Sequence, residues 1–327
     1  MLPSDKKRKR LIKVSATTST HYGKSPDKMS VKELFNNGII NLNKPSGPTS
    51  HQVVSWVKEI LETDKAGHGG TLDPDVTGVL PVALGEATRA LQVLLLAGKE
   101  YVGIMKLHKQ LEKNKITEVC NSFIGEIYQI PPLRSAVKRV KRKRHIYYLE
   151  IIEMEGTEVL FRVGCEAGTY IRTLCVDIGK KLGCGAHLAE LRRTRVGSLT
   201  ENESVTLQDL KDAYVFWNET KEEQEIRTHI RPITSILENT PKIVIRDSAV
   251  DALCHGANLA IPGIVEVDTD IKKGDLAAVL TLKGEGVALV NVLMSTEQII
   301  QKDSGICATL ERVLMNKGTY PPIWKKS

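Results

Sequence analysis

Strand-like and helix-like patterns follow one another along this chain without strict alternation, and that order limits the available folds more than any other feature. Gly38-Ile39-Ile40-Asn41-Leu42 reads as a short strand, broken by the turn signal Lys44-Pro45-Ser46-Gly47-Pro48. Thr49-Ser50 offers an N-cap, and Val53, Val54, Trp56, Val57, Ile60 and Leu61 follow at helical spacing. Residues 64–81 read as a Gly-rich loop, 86–97 as helical and 99–107 as a strand. Residues 146–153 and 158–165 form a hairpin pattern around Gly156, and 169–182 a helix stopped by Gly183. Such a mixture predicts an α+β fold, because a doubly wound parallel sheet needs strand and helix in regular turn.

A second unit begins near Pro241. Residues 243–245 are strand-like and 248–254 helical, while 276–282 and 287–293 flank the hairpin turn Lys283-Gly284-Glu285-Gly286. With a last strand over 306–315, this pattern predicts a compact β-barrel. The charged stretch 218–231 is expected to connect the two units as an exposed helix or linker. Residues 1–36 are polar and basic, with no core of their own, and read as a solvated tail or as an arm for a partner or RNA.

No unbroken apolar run exceeds five residues (Val93 to Ala97 is one), which excludes a spanning helix. The basic run at residues 6–10 lacks the apolar stretch of a secretory signal, so a cytoplasmic location is expected. The 46 basic and 39 acidic residues leave a net charge of +7, which favours a polyanionic partner. No two of the six cysteines form a C-x₂-C pair, and Cys254-His255 has no second pair beside it, so no metal is expected. The phosphate-loop pattern is also missing, and no cofactor is expected.

Chemistry concentrates in four places. Gly67-His68-Gly69-Gly70-Thr71-Leu72-Asp73-Pro74 has three glycines in four positions, which let a backbone approach a ligand. The proline biases Asp73 away from helical geometry, in a pocket or in a plain turn. Residues 134–144 carry seven cations and no acid: Arg134, Lys138, Arg139, Lys141, Arg142, Lys143 and Arg144. They would repel one another unless phosphates sit among them, which points to RNA or DNA. Tyr170 and Arg172 lie at a strand-to-helix junction, as base and carboxylate contacts or as a buried tyrosine and a surface arginine. Leu191-Arg192-Arg193-Thr194-Arg195 reads as a helix end whose cations suit either the helix dipole or a phosphate.

In this order the segments resemble the TruB-type pseudouridine synthases. Residues 41–50 and 67–81 are similar to that family's first two motifs, Lys99-Glu100-Tyr101 to its tyrosine motif, and residues 168–174 and 183–193 to its third motif region. The resemblance covers about residues 36–235, and no quoted position departs from the pattern. The C-terminal unit resembles a PUA domain, an RNA-binding β-pseudo-barrel. Gly318-Thr319-Tyr320-Pro321-Pro322, the N-terminal arm and residues 131–138 resemble the archaeal and eukaryotic, dyskerin-like branch. The chain ends at Ser327 without the long lysine-rich tail of eukaryotic members, as archaeal ones do.

The resemblance implies an α+β, mixed-sheet catalytic domain at 37–235, a PUA domain at 241–316, an extension at 1–36 and a tail at 317–327. It implies isomerisation of uridine to pseudouridine in RNA, with Asp73 attacking the nucleoside, Tyr101 stacking on the flipped uracil and Arg172 pairing with Asp73. His68, Tyr170 and Leu191 would line the base pocket, and Lys44 and Pro45 would support the loop. The implied partners are H/ACA guide RNA, rRNA, tRNA and the small proteins of H/ACA ribonucleoproteins, with no membrane. A non-catalytic RNA-binding scaffold and a stand-alone tRNA enzyme are the alternatives.

Overall fold

The computed structural model describes residues 1–131, 138 and 140–322. A ten-stranded mixed sheet organises the first unit. Across it run Ile230–Pro232, Gly38–Lys44, Thr77–Leu84, Ala186–Val196, Lys99–Leu107, Glu158–Cys165, Arg142–Glu155 and Gly125–Gln129, with two short strands beside them. All these pairs are antiparallel except Thr77–Leu84 with Ala186–Val196. Helices Ser50–Ile60, Lys113–Asn121, Ile171–Leu182 and Leu207–Thr220 share one apolar core with this sheet, including Leu42, Val57, Leu80, Phe161, Val163, Ile178 and Leu210. The Ser50–Ile60 helix starts as expected. Thr49 Oγ1 accepts from the Gln52 amide and Gln52 Oε1 accepts from the Thr49 amide, a capping box. Gly183 ends Ile171–Leu182 in the left-handed region at φ 75°.

The second unit is a seven-stranded sheet ordered Arg10–Ile12, Ile264–Asp268, Lys242–Ile245, Leu276–Thr281, Gly286–Val292, Ile306–Val313 and Leu259–Ala260. It has its own core around Ile245, Val279 and Val290. A third buried cluster joins the units, with Ile39, Val79, Leu94 and Ile236 from the first against Val244, Ala278, Leu280 and Leu314 from the second. The units are therefore docked through an apolar seam and not strung on a linker. Among the described residues no helix is long and apolar enough to cross a membrane.

Several local expectations need correction. Residues 218–231 are no linker: Gln224–His229 is a helix, Ile230–Pro232 pairs with Gly38–Lys44, and Ile226 and Ile230 are buried in the catalytic core. Charge at the exposed positions hid those two anchors. The segment 64–81 is a loop only in its middle, since Ala66–His68 and Thr77–Leu84 are paired strands. Leu191 to Arg195 lie on the strand Ala186–Val196 and not at a helix end. Tyr320, placed by the sequence in a tail, is 1% exposed and packs into the second core.

The N-terminal arm also docks, and on this chain itself. Arg10–Ile12 adds a strand to the second sheet, Lys13 Nζ donates to the Ile300 and Lys302 carbonyls, and Thr18 Oγ1 donates to Asp247. Leu2 is buried, and Val31 and Leu34 of the helix Val31–Asn37 belong to the catalytic core. Main-chain pairing supplies what the arm's composition lacks. Its pivot is Gly23, at φ 60°, where a Cβ would fall on the Tyr320 hydroxyl and the Glu285 carboxylate. That carboxylate accepts from Tyr320 Oη at 2.6 Å, Thr281 Oγ1 at 2.9 Å and the Lys24 amide at 3.0 Å. Gly23→Ala is expected to destabilise the protein by about 1–3 kcal/mol. The check is thermal melting together with proteolysis, which should cut the arm first; unchanged melting and protection would show that the arm is not pinned there.

Candidate active site

Asp73 sits on the loop between the strands Ala66–His68 and Thr77–Leu84. Buried donors fasten that loop from beneath. The Lys44 side chain is fully buried, and its ammonium donates to the Pro45, Pro74 and Val76 carbonyls at 2.8, 2.8 and 2.9 Å. Burial lowers its pKa, which the negative charges of Asp75 and Asp73 oppose. Arg193, 1% exposed, donates through Nε to the Val79 carbonyl at 2.7 Å and through Nη2 to the Gly70 carbonyl at 3.0 Å. Its Nη1 reaches the Thr71 carbonyl at 3.5 Å. Ser50 clasps Leu72 both ways, with Oγ donating to the carbonyl at 3.1 Å and accepting from the amide at 2.9 Å. Gly78, at φ 103°, pairs with Arg193 so closely that a Cβ would fall on the Arg193 backbone.

Above the loop, Arg172 Nη2 donates to Asp73 Oδ2 at 3.1 Å, with both side chains more than half exposed. An ion pair this open adds only about 0–1 kcal/mol to stability, so its effect is to aim and hold the carboxylate. Arg172 is itself placed by the start of Ile171–Leu182. Gln129, 3% exposed, accepts from the Tyr170 amide at 2.9 Å and donates to the Tyr170 carbonyl at 3.0 Å. Tyr101 lies in register with Arg193 on the neighbouring strand, and burial raises its phenol pKa, so it stays protonated. His68 packs edge-on against His51 at 5.0 Å between ring centroids. Burial, then His51, then Arg193 lower its pKa, which favours the neutral ring. Leu191 is in register with Gly103, whose missing side chain leaves room for it.

The basic run divides. Arg134 and Arg139 lie outside the described residues. Lys138 is exposed. Arg144 donates to the Gly168 carbonyl at 3.1 Å and sits 3.7 Å from Glu166, so it braces the turn leading to Tyr170. Lys143 is paired with Glu126, Lys141 lies over the Tyr128 ring at 4.9 Å, and Arg142 Nη2 reaches the Lys138 carbonyl at 3.5 Å. Mutual repulsion therefore does not by itself demand phosphates here, because this chain supplies acids for two of the cations.

Sequence reasoning missed Gln129 and misplaced Arg193. No motif marks Gln129. Arg193 stands among three arginines in four positions that look like a solvated edge, but on the strand, beside a register shift, it is turned inward and buried. Its neighbours Arg192 and Arg195 are held by Glu201 and Asp5.

A mixed sheet thus carries an aspartate on a fastened glycine-rich loop with an arginine in contact with it, and joins a second, seven-stranded unit; the comparisons with known proteins make the class an RNA pseudouridine synthase. Family models agree along the chain. The TruB family pseudouridylate synthase N-terminal domain matches residues 58–171, and the tRNA pseudouridylate synthase B C-terminal domain matches 172–238. A PUA domain matches 241–314 and a DKCLD domain 2–54. The chain belongs to the TruB family of pseudouridine synthases, on its dyskerin-like branch.

It is 55% identical over 325 residues to the probable tRNA pseudouridine synthase B of Methanosarcina barkeri, covering 99% of this chain and 96% of that one. It is 55% identical over 326 residues to the protein of the same description in Pyrococcus abyssi, covering 99% and 98%. Among solved structures it is similar to the crystal structure of a Cbf5-Nop10-Gar1 complex, at TM-score 0.94 and 52% identity over 98% of each chain. It is also similar to an H/ACA ribonucleoprotein bound to a substrate RNA containing 2′-deoxyuridine, at TM-score 0.92 and 50% identity, covering 99% and 100%.

Proposed function

We propose that this chain is the catalytic subunit of an H/ACA ribonucleoprotein. It isomerises uridines in rRNA chosen by a guide RNA, and also a uridine of the tRNA TΨC loop. The observation that carries the chemistry is the Asp73 carboxylate, held by Arg172 on a loop whose backbone is bound from below by Lys44 and Arg193. A carboxylate can attack a glycosyl carbon or act as base in an elimination, and the adjacent guanidinium orients it. The target base must leave its stack, at a cost of a few kcal/mol, and Tyr101 stacking would offset roughly 1–3 kcal/mol of it. His68, Tyr170 and Leu191 would line the base pocket. Lys138, Lys141 and Arg142 would meet RNA phosphates, with Arg134 and Arg139 next to them in sequence and Lys143 and Arg144 serving also as braces.

Residues 37–235 form the catalytic unit of this reading, and 241–316 the unit that anchors the guide, in a cytoplasmic particle. The support for guidance is the similarity to chains described within complexes with Nop10, Gar1 and substrate RNA. The experiment is reconstitution. Pseudouridine is mapped in rRNA fragments and in tRNA, with the protein alone and then with a guide RNA and the small partner proteins. Modification of rRNA is expected only in the complete particle, because two linked RNA sites gain from effective concentration. Equal rate and site choice without guide would leave the stand-alone tRNA enzyme, the activity by which the curated relatives are described.

A further inference from the structure

Lys99 begins the strand Lys99–Leu107 and shares a face with Tyr101, because side chains alternate along a strand. It is 5% exposed. Its ammonium lies against the bare Cα of Gly70 in the catalytic loop, where a Cβ would stand 3.1 Å from Nζ. Three groups face it: Arg193 from Ala186–Val196, the Cys165 thiol directly across in register, and Tyr101 on its own strand. Burial pushes that thiol up to about 12, so it is neutral at pH 7. Among the described residues no carboxylate acts on Lys99. The other buried cations of the site have acceptors, Lys44 and Arg193 each bonding to backbone carbonyls. Among the described residues the Lys99 ammonium has no hydrogen bond and no ion pair.

A lysine this deeply set, whose ammonium keeps a little open surface but no protein acceptor, has lost most of its hydration, and nothing in the folding of this loop requires one. The reaction makes the missing partner. When the N1–C1′ bond breaks, its electron pair stays with the base. In the nucleophilic route Asp73 bonds C1′; in the elimination route it takes the 2′ proton. Either way one negative charge passes from the carboxylate to the uracil, where it spreads over N1, O2 and O4. We propose that Lys99 is a catalytic residue whose ammonium donates a hydrogen bond to a carbonyl oxygen of the detached uracil and stabilises it as the leaving group. Lys99 keeps its proton in either route, and the contact is strongest once the base is an anion, as transition-state stabilisation requires. This role rests on the assignment of Asp73 and Tyr101 to the uracil site.

Burial first, and Arg193 next, hold the Lys99 pKa down to about 8. The active form is the ammonium, so the rate should fall as pH rises through about 8. The test compares wild-type protein, Lys99→Met and Asp73→Asn in single-turnover reactions, in the complete particle, on target RNA carrying uridine or 5-fluorouridine at the modified position. Fluorine stabilises the base anion and lessens the need for help. Lys99→Met is expected to slow uridine consumption by roughly 10²–10³-fold, as loss of an oxyanion donor does, with RNA affinity within about twofold. The loss should shrink at least about tenfold on 5-fluorouridine, and the alkaline limb should vanish. Should the variant melt early, wild-type protein on uridine still decides, because its rate must fall through about pH 8. Equal losses on both substrates, or a wild-type rate flat through pH 8, would overturn the proposal. Turnover by Asp73→Asn would instead sink the reading of the site itself.

Discussion

Asp73→Asn is expected to abolish isomerisation while leaving RNA binding nearly intact. The change preserves shape and a hydrogen-bonding oxygen toward Arg172, 3.1 Å away, but removes the charge that attacks C1′ or accepts a proton. Loss of the one group that reacts typically costs on the order of 10⁴–10⁶ in kcat. Affinity should shift by no more than about twofold, because phosphate contacts dominate RNA binding and lie elsewhere. Folding should also be untouched. The Asp73 side chain is 61% exposed, and the loop is held through the Gly70, Pro74 and Val76 carbonyls, not through the carboxylate. The measurements are single-turnover pseudouridine formation, a binding titration and a melt of the same sample. Near wild-type turnover would show that the loop's aspartate is a turn residue and nothing more.

What could be read from the residues follows the reach of each signal. The strands Lys99–Leu107 and Glu158–Cys165 are legible to the residue, because period-two alternation bounded by turns is a local property. Gly183 is legible because only a left-handed residue closes that helix cheaply. The pairing of Asp73 with Arg172 is legible through motif order, although 99 positions separate them. The supports of the site are less visible. Gln129 acts through two bonds to one backbone 41 residues away, a contact with no periodicity and no motif. The arm at residues 1–36 looks coreless because its stabilisation is main-chain pairing and single buried anchors such as Leu2. Lys99 is legible as a motif letter but not as a deeply set lysine without a protein acceptor, since a lysine at a strand start normally extends into water.

Arg193 tests the misread segment most sharply. A helix-end or phosphate-binding arginine would tolerate lysine, since either role needs only a positive charge. The buried arginine of this structure should not. Its Nε reaches Val79 on one side while Nη2 and Nη1 reach Gly70 and Thr71 on the other, and one ammonium cannot span that fork. Arg193→Lys is expected to leave the Gly70 or the Val79 carbonyl without its donor, at about 1–3 kcal/mol for each buried acceptor so orphaned. The catalytic loop would then shift, and a displacement near 1 Å costs roughly 10²-fold in rate. Arg193→Met should lose the same order of rate or more, and both variants should melt several degrees lower than wild type. The deciding measurement is the salt dependence of RNA binding. A phosphate contact contributes close to one unit to the slope of log affinity against log salt, and its removal would flatten that slope. For Arg193 the slope should stay at its wild-type value while kcat falls. A flattened slope with kcat preserved in Arg193→Lys would return Arg193 to the RNA surface and leave the loop held by Lys44 and Ser50 alone.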